Sequence, residues 1–167
     1  TAWSNGAVNE GWVITGWNGQ TDGTSISPSE EANPLLRPRL SVKWLPPGVS
    51  STTFREGLDG YFGSVDTSIQ SSLPDDMFGS DLTLGVDAGS PVDLVQSLLR
   101  FDNIIGTGVG QIPPGAMIHS ASLVLSSTTS NAMGDGGRFF PMVQSWDELA
   151  TWNSLGGGIQ TDGIEAA

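Results

Sequence analysis

SLLRFDNIIGTGVGQIPPGAMIHSASLVL, residues 97–125, reads as strand, loop, turn and strand. In a strand successive side chains point to opposite faces, so Leu99 and Phe101 share one face while Leu98 and Arg100 take the other. Ile104 and Ile105 lead into a glycine-rich passage that no regular element tolerates. Pro113-Pro114-Gly115-Ala116 then predicts a turn, because proline presets the backbone and glycine accepts positive φ. Alternation resumes over Ile118 to Leu125, with Ala121, Leu123 and Leu125 on one face and Ser122 and Val124 on the other. Two half-buried strands joined through such a corner point to a β-sandwich.

The composition agrees. The chain has 167 residues, 37% of them hydrophobic, enough for one domain with a real core. It holds 23 glycines and 10 prolines, a single lysine (Lys43), and many Ser, Thr and Val, which favours an all-β fold. No window sustains a helical period. The net charge is −12, from 18 acidic and 6 basic residues, so nucleic acid and anionic membrane surfaces are repelled. No stretch is long and apolar enough to span a bilayer as a helix. Without cysteine there is no disulfide framework, and stability must come from packing or from ions. The chain starts at Thr1 with neither methionine nor signal peptide, so it is expected to be a processed or internal segment.

Further strands are expected at Gly11 to Thr15, at Pro38 to Trp44, at Leu82 to Val86, and at Arg138 to Val143. Pro141 marks that last one as an edge or a bulge. Pro46-Pro47-Gly48 with the polar residues to Thr53 reads as a linker. Asn153 to Ala167 reads as loop.

"LLRFDNI…IPPGAMIHSASLVL", followed by Ser145-Trp146-Asp147-Glu148-Leu149-Ala150-Thr151-Trp152-Asn153, resembles the DNRLRE-type domain over Phe62 to Asn153. That domain is a jelly-roll β-sandwich related to carbohydrate-binding modules of secreted proteins. The resemblance implies a fold and a secreted setting, but no activity. "GW…TDG..I..SEE…..RPRLSVKW" resembles the C-terminal end of the same domain, yet it stands at the N-terminus here. The implied organisation is permuted: residues 1–45 as the last strands of one sandwich, 46–53 as linker, and 54–167 as the first two-thirds of the next.

Trp12, Ile14, Leu40, Val42 and Trp44 occupy inward positions of the displaced strands. Burying each is worth roughly 1.5–3 kcal/mol, so residues 54–167 alone would keep an open core. The expectation is a jelly-roll-like antiparallel β-sandwich completed by a neighbouring copy or adjacent repeat. These five residues would then form the inter-subunit packing of a head-to-tail, non-catalytic subunit of an extracellular fibre or surface assembly. The alternatives are a carbohydrate-binding module of a larger secreted polysaccharide-active protein, and a permuted chain whose residues 1–45 fold back on itself.

Trp17, in a Gly-Trp-Asn-Gly loop, and Tyr61 are the candidates for stacking on polysaccharide rings. Asp75, Asp76 and Asp81, with Asp22, Asp66 and Asp87 elsewhere in the chain, suit a hard cation such as calcium, or are turn acids bonded to local backbone. His119 is the only histidine and reads as structural. The pairs Glu30-Glu31, Asp75-Asp76 and Asp147-Glu148 read as solvated charge. Arg37, Arg39, Lys43, Arg55, Arg100 and Arg138 read as scattered, a poor platform for an acidic sugar.

Overall fold

A computed structural model describes residues 3–17, 23–45, 50–90, 92–128 and 136–167. The strands are β1 (Trp12–Thr15), β2 (Thr24–Ile26), β3 (Arg39–Leu45), β4 (Ser50–Phe54), β5 (Ser64–Gln70), β6 (Leu84–Val86), β7 (Val95–Phe101), β8 (Met117–Val124) and β9 (Arg138–Pro141). One 3-10 turn, Trp3–Asn5, is the only helical element among the described residues. Every ladder between these strands is antiparallel. A four-stranded sheet runs β5-β7-β1-β9, a three-stranded sheet β4-β3-β8, and β2 pairs with β6. The fold is an all-β sandwich.

The alternation read in β7 is what makes the layers. Leu99 and Phe101 pack with Leu40, Val42, Trp44 and Phe54 of the three-stranded sheet. Leu98, one residue away, packs on the opposite face with Val13, Ile69, Trp146, Leu155 and Ile159. The four-stranded sheet is therefore covered on both sides, by strands on one and by the C-terminal coil on the other. The Pro-Pro-Gly-Ala corner forms as read: Ala116 N–H donates to Pro113 O at 3.1 Å, with Gly115 at φ +77°.

Several expectations are corrected. Ser50 to Thr53 is not linker but most of β4, paired with β3 from Leu40↔Phe54 to Trp44↔Ser50. Pro46-Pro47-Gly48 lies outside the described residues. The displaced strands fill their own chain's core: β1 sits between β7 and β9, with Trp12 opposite both Leu99 and Pro141, and β3 sits between β4 and β8. Ile14, Leu40, Val42 and Trp44 are buried there, and Trp12 packs edge-on against Trp3 at 5.1 Å. These residues are thus packed within one chain, because β3 and β4 reverse as a hairpin where an extended connector was expected. The segment read as terminal loop carries Leu155, Ile159 and Ala166 into the core.

Candidate interaction surfaces

Trp17 and Tyr61 lie at opposite ends of the four-stranded sheet. Trp17 follows the Thr15 end of β1, whose neighbour Ile14 pairs with Ser97. Tyr61 precedes Ser64, which pairs with Phe101 at the far end of β7. Trp17 is 45% exposed, and the Arg138 guanidinium stands 5.3 Å over its ring. Tyr61 is a plug between layers. Its ring meets Phe54 at 5.2 Å and Phe101 at 6.4 Å, and its hydroxyl donates to Asp102 O at 2.9 Å. Burial, with the nearby charges of Asp102 and Glu56, pushes that phenol's pKa upward. The two rings form no common platform.

Asp75, Asp76 and Asp81 are exposed on turns. Asp75 accepts from Asn153 Nδ2 at 2.9 Å, while the backbone N–H groups of Asp76 and Asp81 close turns onto Leu73 O and Phe78 O. Among the described residues no group of three acidic or histidine side chains is arranged to hold an ion. Asp22 lies outside the described residues.

The acidic cluster that does form comes from three separate segments. Asp66, in the middle of β5, is 1% exposed and accepts from Ser29 N–H at 2.9 Å. Its pKa is pushed up to about 7, by burial first and then by Glu30. Glu148 is also pushed up, by burial and by Glu30. Ser29 Oγ donates to Glu30 Oε1 at 2.9 Å, and Glu30 Oε2 is buried without a partner. Glu30 and Glu148, read as solvated, are drawn over the β5 side of the sandwich by Ser29 and by the turn carrying Trp146.

On the other side the sandwich stays open. β8 and β9 are edge strands of the two facing sheets. Between them lies an apolar cleft of about 380 Å³ lined by Trp12, Leu40, Ala121, Leu123, Leu125 and Phe139. A second apolar space of about 180 Å³ shares Trp12, Leu40 and Ala121 and reaches Ile104, Ile112 and Ile118. The inward row of β8 is consequently only half-covered: Ala121 is exposed and Leu123 and Leu125 are partly buried. His119 is the extra residue of a bulge, since Lys43 pairs with Ser120 and Trp44 with Ile118.

A more polar groove of about 420 Å³ runs beside the free edge of β4, lined among others by Thr52, Asp59, Tyr61, Phe62, Asn103 and Gln111. Asp59 and Asn103 hold left-handed backbone, φ 53° and 56°, a conformation uncommon outside glycine. The Phe62 ring is 75% exposed there.

Charge is sorted between the layers. β3, β4 and β8 contain no acidic residue, although the chain has 18. Arg39 and Arg55 stand one residue past the last pair, Leu40↔Phe54, close enough for the charge of Arg39 to act on Arg55, and alternation places Lys43 on the same face as Arg39. The cations read as scattered are thus partly gathered on one sheet.

No family model, curated protein or solved structure matches the chain. The likeness to the DNRLRE-type domain accordingly rests on the residues quoted for it.

Proposed function

We propose that the chain is a non-catalytic structural subunit of an extracellular assembly, in which copies join head to tail through the edges of the three-stranded sheet. The observation that carries this reading is the character of those edges. β4 (SSTTF) and β8 (MIHSASLV) stand at opposite sides of the sheet. Neither carries the lysine, proline or inward charge with which soluble proteins block edge pairing. A chain of net charge −12 repels its copies over most of its surface, and this acid-free sheet is where two copies approach without that penalty. Joining β8 of one copy to β4 of the next continues the sheet, covers the apolar cleft beside β8, and leaves an open edge for a third copy. Such a heterologous contact does not close and gives a filament.

The test is Ala121→Lys, an exposed position on the wall of the cleft, compared with the unmodified chain by analytical ultracentrifugation across a concentration series. Concentration-dependent growth that the lysine abolishes, with the melting temperature unchanged, is the expected result. An unmodified chain that stays monomeric at the highest attainable concentration defeats the proposal.

A second reading is favoured by the groove beside β4. An exposed Phe62 ring next to the polar side chains of Asp59 and Asn103 is the combination that binds a neutral sugar, with apolar stacking on one side and directed hydrogen bonds on the other. Phe62→Ala is then expected to lose retention on a polysaccharide column with no change in stability. Equal retention removes this reading.

A further inference from the structure

We propose that the outer face of the three-stranded sheet holds an oxyanion-binding site, in which Arg39 and Arg55 together grip a carboxylate or sulfate group of an acidic ligand. The inference is independent of the self-association proposed above. Two arginines stand at the end of the β3–β4 pair, each one residue past Leu40↔Phe54. Leu40 and Phe54 are paired and buried in the core, so alternation turns their sequence neighbours Arg39 and Arg55 to the opposite face. Arg55 is 9% exposed. The Nε atoms of both Arg39 and Arg55 are buried without a hydrogen-bond partner. Among the described residues neither guanidinium has a carboxylate within salt-bridge distance; the ion pairs all belong to Arg100.

The acids that stand nearest in sequence are occupied elsewhere. Glu56 Oε2 accepts from the backbone N–H groups of Gly63 and Ser64, each at 2.9 Å. Glu31 Oε1 accepts from Asn33 N–H at 3.0 Å. Arg37, the next cation along, is satisfied by the carbonyls of Glu31 at 2.6 Å and Glu56 at 3.1 Å. Arg39 and Arg55 are therefore left as two adjacent positive charges, partly stripped of water and unpaired. Burial, and then the charge of Arg39, lowers the pKa of Arg55. A buried charge without a partner is costly, and a guanidinium pair is relieved by an oxyanion that accepts charge-assisted hydrogen bonds from both.

The surroundings favour an extended acidic ligand over an isolated ion. Ser41 and Thr53 form the next row of the same face, their hydroxyls 3.2 Å apart. Lys43 follows, opposite Ser51 and Ser120. Arg39 and Lys43 are separated by about 13 Å at the usual strand rise, so a second anionic group on an extended chain reaches Lys43 across a row of hydroxyls.

The experiment is calorimetric titration of dilute, monomeric protein with sodium sulfate at fixed ionic strength, and separately with poly-L-glutamate. The unmodified chain is compared with Arg39→Gln, Arg55→Gln, Lys43→Gln and, as a control, Arg138→Gln. Saturable binding is expected, weakened about tenfold or more in Arg39→Gln and Arg55→Gln, in keeping with loss of a charged hydrogen bond, and unchanged in Arg138→Gln. Lys43→Gln is expected to weaken the polymer and spare sulfate. Both arginine variants should melt no lower than the parent in chloride, because each removes one of two repelling charges. If Arg55→Gln fails to fold, the more exposed Arg39→Gln decides. Binding of the polymer without sulfate supports a carboxylate carried on a chain, and binding of sulfate supports a sulfate-type group. No saturable binding of either probe, or equal binding by the arginine variants, overturns the proposal.

Discussion

Ser29 donates its backbone N–H to Asp66 Oδ2 at 2.9 Å, and so ties a loop near the N-terminus to a carboxyl buried in the middle of β5. The contact opposes the three influences that raise this group's pKa, its burial first, then Glu30 and Glu148. It does not overcome them. Asp66 keeps its proton up to about pH 7, midway along the edge strand β5 and beside the buried hydroxyls of Thr67, Ser68 and Ser97.

The pH dependence of stability follows from that. The folded pKa, about 7, lies above the ordinary 3.8, so between those values the folded chain binds a proton that the unfolded chain has released. This group's contribution is fully present below pH 3.8 and is lost as pH rises through about 7. Asp66→Asn removes the titration while keeping the shape. It is expected to raise the melting temperature at pH 8, by about 2–4 °C for each kcal/mol recovered, and to do less at pH 4. Melting curves of parent and variant that run parallel from pH 4 to 8 would contradict it.

Arg100 gives the second prediction. It occupies the face of β7 opposite Leu99 and Phe101, as alternation requires. Its Nε donates to Asp102 at 2.7 Å and its NH1 to Trp146 O at 2.8 Å; Glu10 lies at 3.7 Å, and the guanidinium stands 4.9 Å over the Trp146 ring. Trp146 in turn donates to Glu10 O at 2.8 Å. Arg100→Met leaves these acceptors without their cation and is expected to cost about 3 kcal/mol. Arg100→Lys should recover only part of it, since an ammonium lacks the planar fork. Denaturant midpoints at unchanged slope measure both.

Period and turn chemistry made much of the sandwich legible. Leu98 and Leu99 read as facing opposite ways and do so, and Leu40, Val42 and Trp44 read as one inward row and are. What the sequence hid were features made by coverage rather than period. Ser50-Ser51-Thr52-Thr53 looks like linker because an edge strand with a solvated outer face needs few apolar residues. Arg39 and Arg55 become neighbours only through the β3–β4 register. Asp66, Glu30 and Glu148 converge from three segments, and no spacing rule anticipates that. Tyr61 looked like a surface ring because nothing local announces that Phe54 and Phe101 enclose it.

Gly11 offers a prediction about a backbone approach. It holds φ +70°, and a Cβ there would strike the Leu99 carbonyl oxygen and come within 2.8 Å of Arg100 Cα. Gly6 also holds positive φ, at +90°, but faces open space. Gly6→Ala therefore meets only the left-handed strain of about 1–2 kcal/mol. Gly11→Ala meets that strain and a clash with the backbone of β7, and should lower the melting temperature clearly more. Equal losses at the two sites would show that β1 and β7 are free to part.

The C-terminal coil contains no strand or helix, yet it packs against one face of the four-stranded sheet. Leu155 and Ile159 are buried against Val13, Ile69 and Leu98. The coil is fastened by a side chain that does the work of a strand: Gln96 Nε2 donates to Ile159 O at 3.0 Å, and Ile159 N–H donates to Gln96 Oε1 at 2.8 Å. If the coil is a structural layer, Leu155→Ala should cost about 2–5 kcal/mol through the cavity it leaves. Gln96→Ala, which strands a buried N–H and carbonyl, should cost about 1–3 kcal/mol. Leu149→Ala, at an exposed position of the preceding turn, should stay within about 0.5 kcal/mol. The slope of the denaturant transition should be the same for all three variants, because the coil unfolds together with the sheet it covers. A dispensable tail predicts instead that Leu155→Ala and Leu149→Ala behave alike, and that comparison separates the two descriptions.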